Sequence, residues 1–138
     1  MLDTCVLLAA IRSDSGASKT VLRAALESRF QFLISTPLVL EYEAVMTRPE
    51  HLKSSGLSYL EIERLVDLIC EVGHAVRKKT NIRPQLHDPD DEMVLETAVA
   101  GGADAIVTFN RAHFAGVCEG FGIEVISPQE VIRRMKSV

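Results

Sequence analysis

Apolar residues recur along this chain with two alternating periods. The segment 30–35, FQFLIS, is a short apolar run that predicts a buried strand. In STPLVLEYEAVMTRP, Leu38, Val39, Tyr42, Val45 and Met46 recur at helical spacing. Ser35 or Thr36 can cap that helix, Pro37 suits its first turn, and Pro49 stops it. LSYLEIERLVDLICEVG carries a capping box, Ser58 with Glu61. Its apolar stripe of Leu60, Ile62, Leu65, Val66, Leu68 and Ile69 predicts a helix ending near Gly73. HAVRKK reads as a short strand, and PDDEMVLETAVA as a helix closed by Gly101 and Gly102. DAIVTF and IEVIS read as strands. SPQEVIRRM reads as a last helix, with Ser127 as cap, Pro128 in its first turn and Glu130 completing a capping box. SKTVLRAALES is helical, whereas VLLAAIR fits a strand or a helix equally well.

Short apolar strands alternating with amphipathic helices predict an α/β domain with a mainly parallel sheet. At 138 residues and 47% apolar content, the chain suits one domain spanning 1–138 with a real core. No apolar run approaches the roughly 20 residues of a membrane span. The N-terminus lacks the basic region and small-residue cleavage site of a signal peptide. Cys5, Cys70 and Cys118 are odd in number and scattered, which points to a reducing, cytoplasmic setting rather than a disulfide framework. They and the four histidines show no zinc-site spacing. A net charge of −4 gives no nucleic-acid signal for the whole chain. Basic residues do cluster locally, at Arg77, Lys78, Lys79 and Arg83, and at Arg133, Arg134 and Lys136. Taken alone, each cluster reads more readily as a solvated face.

In parallel sheets, ligands sit beyond the carboxyl ends of the strands. That rule singles out Asp3, just after the first apolar residues; Glu41, in the second turn of the helix after FLIS; Asp91, in the first turn of the helix before DAIVTF; and Asn110, just past that strand. Asp91 shares a stripe with Val94, Leu95 and Ala98, so it faces the sheet. An inward carboxylate is costly unless it is paired or bound to a cation. Asp88 fits the N-cap and Asp90 the positive end of the helix dipole, while Glu92 shares the solvent face with Glu96. Glu41 is also readable as a rim acid reaching solvent. Acids converging from several elements suit a hard divalent cation such as Mg²⁺ or Mn²⁺, which supports phosphodiester hydrolysis.

LDTCVLLAAI, ISTPLVLEYEAVM, DPDDEMVLETAVAGGADAIVTFN and IEVISPQEVI, in that order, resemble a PIN domain over almost the whole chain. More narrowly, they resemble the bacterial and archaeal toxin components of toxin–antitoxin pairs, relatives of the VapC type. The resemblance implies a three-layer α/β/α PIN-like domain around a central, mainly parallel sheet. It implies a Mg²⁺- or Mn²⁺-dependent endoribonuclease acting on RNA, a homodimer, often a small cognate antitoxin, and no membrane. It carries catalytic roles onto Asp3, Glu41, Asp91 and Asn110, with Asp3, Glu41 and Asp91 as metal ligands. Thr4 and Thr108 could support the acids or a phosphate; local backbone bonding is the bland alternative. RNA would approach over Arg12, Lys19 and Arg23, or over the 77–83 cluster.

Two departures from the family pattern stand out. Asn110 replaces a frequent acid. Family members with Asn there can carry an acid three residues later, where this chain has His113. Only Met1 and Leu2 precede Asp3 where the family has a longer strand, and Cys5 stands where Asn or Ser is frequent. The resemblance therefore implies a missed upstream start or a truncated gene. Other enzyme classes fit less well. DTCV lacks the second Asp of an aspartyl-phosphate enzyme, and no glycine-bearing phosphate loop joins Cys5 to Arg12. The alternative from a different class is a PIN-fold module with a weakened metal site that only binds RNA or a protein partner.

Overall fold

The computed structural model describes residues 1–13, 16–77, 86 and 88–136. Its elements follow in the order α1 (Thr4–Arg12), α2 (Ala17–Leu26), β1 (Leu33–Ile34), α3 (Thr36–Met46), α4 (Pro49–Ser55) and α5 (Tyr59–Val72). Then come β2 (His74–Ala75), α6 (Pro89–Ala100), β3 (Ala105–Val107), α7 (Arg111–Glu119), β4 (Glu124–Ile126) and α8 (Pro128–Lys136). The expected α/β architecture is present. The strands pair in parallel, β1 with β2 and β3 with β4, and Leu2 adds a parallel bridge to Val107. Helices connect the paired strands, as parallel pairing requires. No helix among the described residues is long and apolar enough to cross a membrane.

Local chemistry explains most element ends. The Ser35 hydroxyl accepts the Leu38 N–H and starts α3, and Ser58 and Glu61 form the complete capping box of α5. The Asp88 carboxylate accepts the Asp90 N–H at 2.9 Å and starts α6. After α6 the chain turns sharply at Gly102, whose φ of 66° favours glycine. A Cβ on Gly101 would lie 2.6 Å from Leu33 and 2.7 Å from Val76, so a bare glycine lets α6 end against β1 and β2. The ambiguous VLLAAIR is helix α1, with Val6, Leu7 and Ala10 buried.

Several expectations are corrected. Pro49 does end α3, but it also opens α4, where a missing N–H costs nothing. Helix α7 was not legible, because only Phe114 and Cys118 along it are buried. The 30–35 strand shrinks to Leu33–Ile34. Ser127 caps α8 through the Glu130 N–H, but the Glu130 carboxylate turns to Arg133 and Arg134 instead of completing a box. Glu92 is buried rather than solvent-facing. Its carboxylate accepts the Leu86 N–H at 2.8 Å and so ties that residue to the helix. Lys78, Lys79 and Arg83 of the basic stretch lie outside the described residues.

One core holds these elements together. Val6, Leu7, Leu38, Tyr42, Met46, Ile62, Ile69, Leu95, Ile106 and Phe114 are buried in it. The buried Tyr42 hydroxyl donates to the Leu2 carbonyl, so α3 holds the residue next to Asp3.

Candidate metal centre

Asp3 stands at the carboxyl end of the strand-like segment beside β3. Its backbone N–H donates to Val107 O at 3.0 Å, and Val107 N–H donates to Met1 O at 2.8 Å. Its side chain caps α1 by accepting the Thr4 N–H at 2.8 Å on Oδ1. Oδ2 accepts the Thr108 hydroxyl at 2.6 Å and the Cys5 thiol at 3.3 Å. Thr108, fully buried one residue past β3, also accepts the Asn110 N–H at 2.9 Å. Burial and the nearby Asp3 carboxylate push the Cys5 thiol up, so it stays a neutral donor. The buried Asp3 is thus fully oriented by groups from α1 and from the end of β3. Thr108 contributes its hydroxyl and Thr4 its backbone N–H.

Asp91 arrives from the first turn of α6, near enough to Asp3 for the two charges to interact. It is only 7% exposed, as its helical phase predicted. Burial raises its pKa, with further rises from Asp3 and Asp88, while His113 pulls the other way. His113 Nδ1 lies 3.0 Å from Asp91 Oδ2. The histidine projects from the first turn of α7, which packs against α6. Spacing alone gave His113 no role. Its family position, where an acid can stand in for a missing one after Asn, was the available signal.

Glu41 sits on the outer part of α3 and meets a second set of acids that shares Asp88 with the first. Burial raises its pKa, followed by Asp90, with which it shares a side-chain hydrogen bond, and by Asp88; Arg48 opposes this. Asp90 is therefore more than a helix-starting acid. It stands carboxyl to carboxyl with Glu41, a proximity that sequence spacing did not reveal. Asn110 is exposed and is the N-cap residue of α7, yet its side chain makes no capping bond. Arg12 lies at the end of α1 remote from Asp3, roughly 13 Å along the helix axis at ~1.5 Å per residue. Lys19 and Arg23 lie on α2, and Arg77 is exposed just past β2.

The structure therefore brings Asp3, Asp91, His113 and Thr108 together and sets Glu41 beside Asp90 and Asp88. Among the described residues, no three acidic, histidine or cysteine side chains are gathered closely enough to enclose an ion. The donor chemistry of the inner pair nevertheless fits a hard cation. Two largely buried carboxylates lie near enough for Asp3 to raise the pKa of Asp91, and that repulsion is what a divalent ion relieves.

A family model described as PIN domain matches residues 1–112, a span that contains Asp3, Glu41, Asp91, Thr108 and Asn110. No curated protein and no solved structure matches the chain. With most of its length matched and parallel β-strands linked by helices, the chain belongs to the PIN domain family, whose members are typically metal-dependent nucleases.

Proposed function

We propose that this chain is a Mg²⁺- or Mn²⁺-dependent endoribonuclease that hydrolyses RNA phosphodiester bonds, and that it serves as the VapC-like toxin of a toxin–antitoxin pair. The reading extends to a homodimer, a small cognate antitoxin and a cytoplasmic setting. One observation carries it: Asp91 from α6 is buried within electrostatic reach of the fully oriented Asp3.

Asp3 and Asp91 would hold the cation, with Glu41 as the third acid and Asn110 supplying a neutral amide oxygen. When bound, such a cation stabilises charge on a phosphoryl oxygen and acidifies water. The chain's own groups prepare the site. Thr108, Thr4 and Cys5 fix both oxygens of Asp3. His113 engages one oxygen of Asp91 and leaves the other for a cation. Tyr42 anchors the backbone at Leu2. Fixed acids of this kind lose little to reorganisation when charge develops on the phosphate.

The test is cleavage of a defined single-stranded RNA with Mg²⁺ or Mn²⁺, against EDTA and Asp91→Asn. Cleavage that both controls abolish supports the reading. A well-folded protein that cleaves nothing and binds RNA equally well with and without Mn²⁺ favours the second reading, a PIN-fold binding module. The lack, among the described residues, of a third acid gathered with Asp3 and Asp91, and the neutral Asn110, are the observations on that side.

A further inference from the structure

Phe109 is 47% exposed, and it stands between two residues of the candidate centre. Single exposed apolar residues are common and mean little alone. The position is what matters here. Thr108, on one side, is fully buried and bonded to Asp3; Asn110, on the other, donates its N–H to the Thr108 hydroxyl. The Phe109 backbone N–H faces the Cys5 sulfur. The main chain on both flanks is therefore tied to the groups that orient Asp3. With the inward side taken by Thr108, the ring stays outside, on a backbone fastened to the groups that orient Asp3.

The neighbourhood also says what the ring suits. Two residues on, Arg111 begins α7, exposed and with no side-chain partner among the described residues. Helix α7 has no acid in its first turn. An apolar protein anchor gains little from a lone ring flanked by charge. An unpaired nucleobase gains a stacking face, and its adjacent phosphate gains a cation.

We propose that Phe109 is a base-stacking residue: its ring takes the face of an unpaired base next to the scissile phosphate, and Arg111 contacts a flanking phosphate. This rests on the nuclease reading for its ligand, single-stranded RNA. It adds that duplex RNA is refused at this position and that base identity matters little, since every base has a stacking face.

The chain contains no tryptophan, so Phe109→Trp installs a single fluorophore at the position in question. Asp91→Asn, made in the same chain, prevents turnover. Oligo(rA) and oligo(rU) are then titrated in Mg²⁺, with binding read independently by the anisotropy of a dye on the RNA. Both oligomers should quench the emission of the introduced indole in step with binding. In the Asp91→Asn background with Phe109 retained as reference, Phe109→Ala and Phe109→Leu should each weaken binding by roughly tenfold, because leucine keeps the bulk and loses the ring. Undiminished binding by both variants, or RNA that binds while the fluorophore is unmoved, overturns the stacking role and leaves the nuclease reading standing. RNA that fails to bind with Phe109 present, both in the Asp91→Asn background and in the unsubstituted protein, overturns both. If Phe109→Ala instead dissociates a dimer in sedimentation, with RNA affinity unchanged, the ring belongs to a protein interface and the proposal is wrong.

Discussion

The imidazole of His113 meets the carboxylate of Asp91, Nδ1 to Oδ2, at 3.0 Å across twenty-two positions of chain. Asp91 is buried beside Asp3, whereas His113 is largely exposed on the opening turn of α7. The histidine therefore acts on the inner acid from outside. It offsets part of the repulsion from Asp3 and fixes which Asp91 oxygen remains available.

His113→Ala should leave the fold intact, because the side chain is exposed, and should still weaken both Mn²⁺ binding and RNA cleavage. Groups that orient a metal ligand typically cost roughly 10–100-fold when removed. Calorimetry with Mn²⁺ beside a cleavage assay checks this; unchanged values in both would show the contact to be incidental.

Thr108→Val removes the hydroxyl that donates to Asp3 and accepts from Asn110. A buried acceptor and an N–H are left short of partners, at a cost of about 1–3 kcal/mol. Thr108→Ser keeps the hydroxyl and should recover most of both stability and cleavage. Urea midpoints of the three proteins decide it.

Asp91 carries a pKa raised by burial and by its neighbouring acids. Folding thus favours its protonated form. In the metal-free protein this term costs nothing at low pH, and stability is lost as pH rises from the unfolded value through the raised folded one. Asp91→Asn should then raise the melting temperature of the metal-free protein near neutral pH and change it little in acid. Mn²⁺ should stabilise the unsubstituted protein most at neutral pH. Thermal scans across pH, with and without EDTA, read both effects; a substitution that destabilises the neutral metal-free protein contradicts the repulsion.

Glu92 is buried and accepts the Leu86 N–H. Glu92→Ala should destabilise the protein by about 1–3 kcal/mol, through the lost bond and the vacated space. It should also lower cleavage, because the segment it fastens leads into Asp88 and Asp91. A denaturation curve that overlays the unsubstituted one would show that the leader is held by other means.

The legible parts of this molecule were those whose causes lie within one element. The Ser58–Glu61 box, the Asp88 cap and the inward phase of Asp91 need only helical geometry, and each stands where its spacing puts it. The family resemblance likewise rests on contiguous motifs. Glu92 was misread because helical phase groups it with Glu96, while its bond to the Leu86 N–H is a contact that the period of α6 does not record. Helix α7 stayed hidden because RAHFAGVCE buries just Phe114 and Cys118, with Gly116 between them. The contacts of His113 with Asp91 and of Glu41 with Asp90 join residues far apart in the chain, which no periodicity records.

The central claim is that Asp3 and Asp91 together hold a divalent cation. Isothermal titration of the metal-free protein with Mn²⁺, beside Asp3→Asn and Asp91→Asn, tests it most directly. The account predicts saturable binding that each substitution weakens by roughly tenfold or more, with circular dichroism showing all three folded. Equal affinity in all three proteins, or no binding by the unsubstituted one, would contradict it.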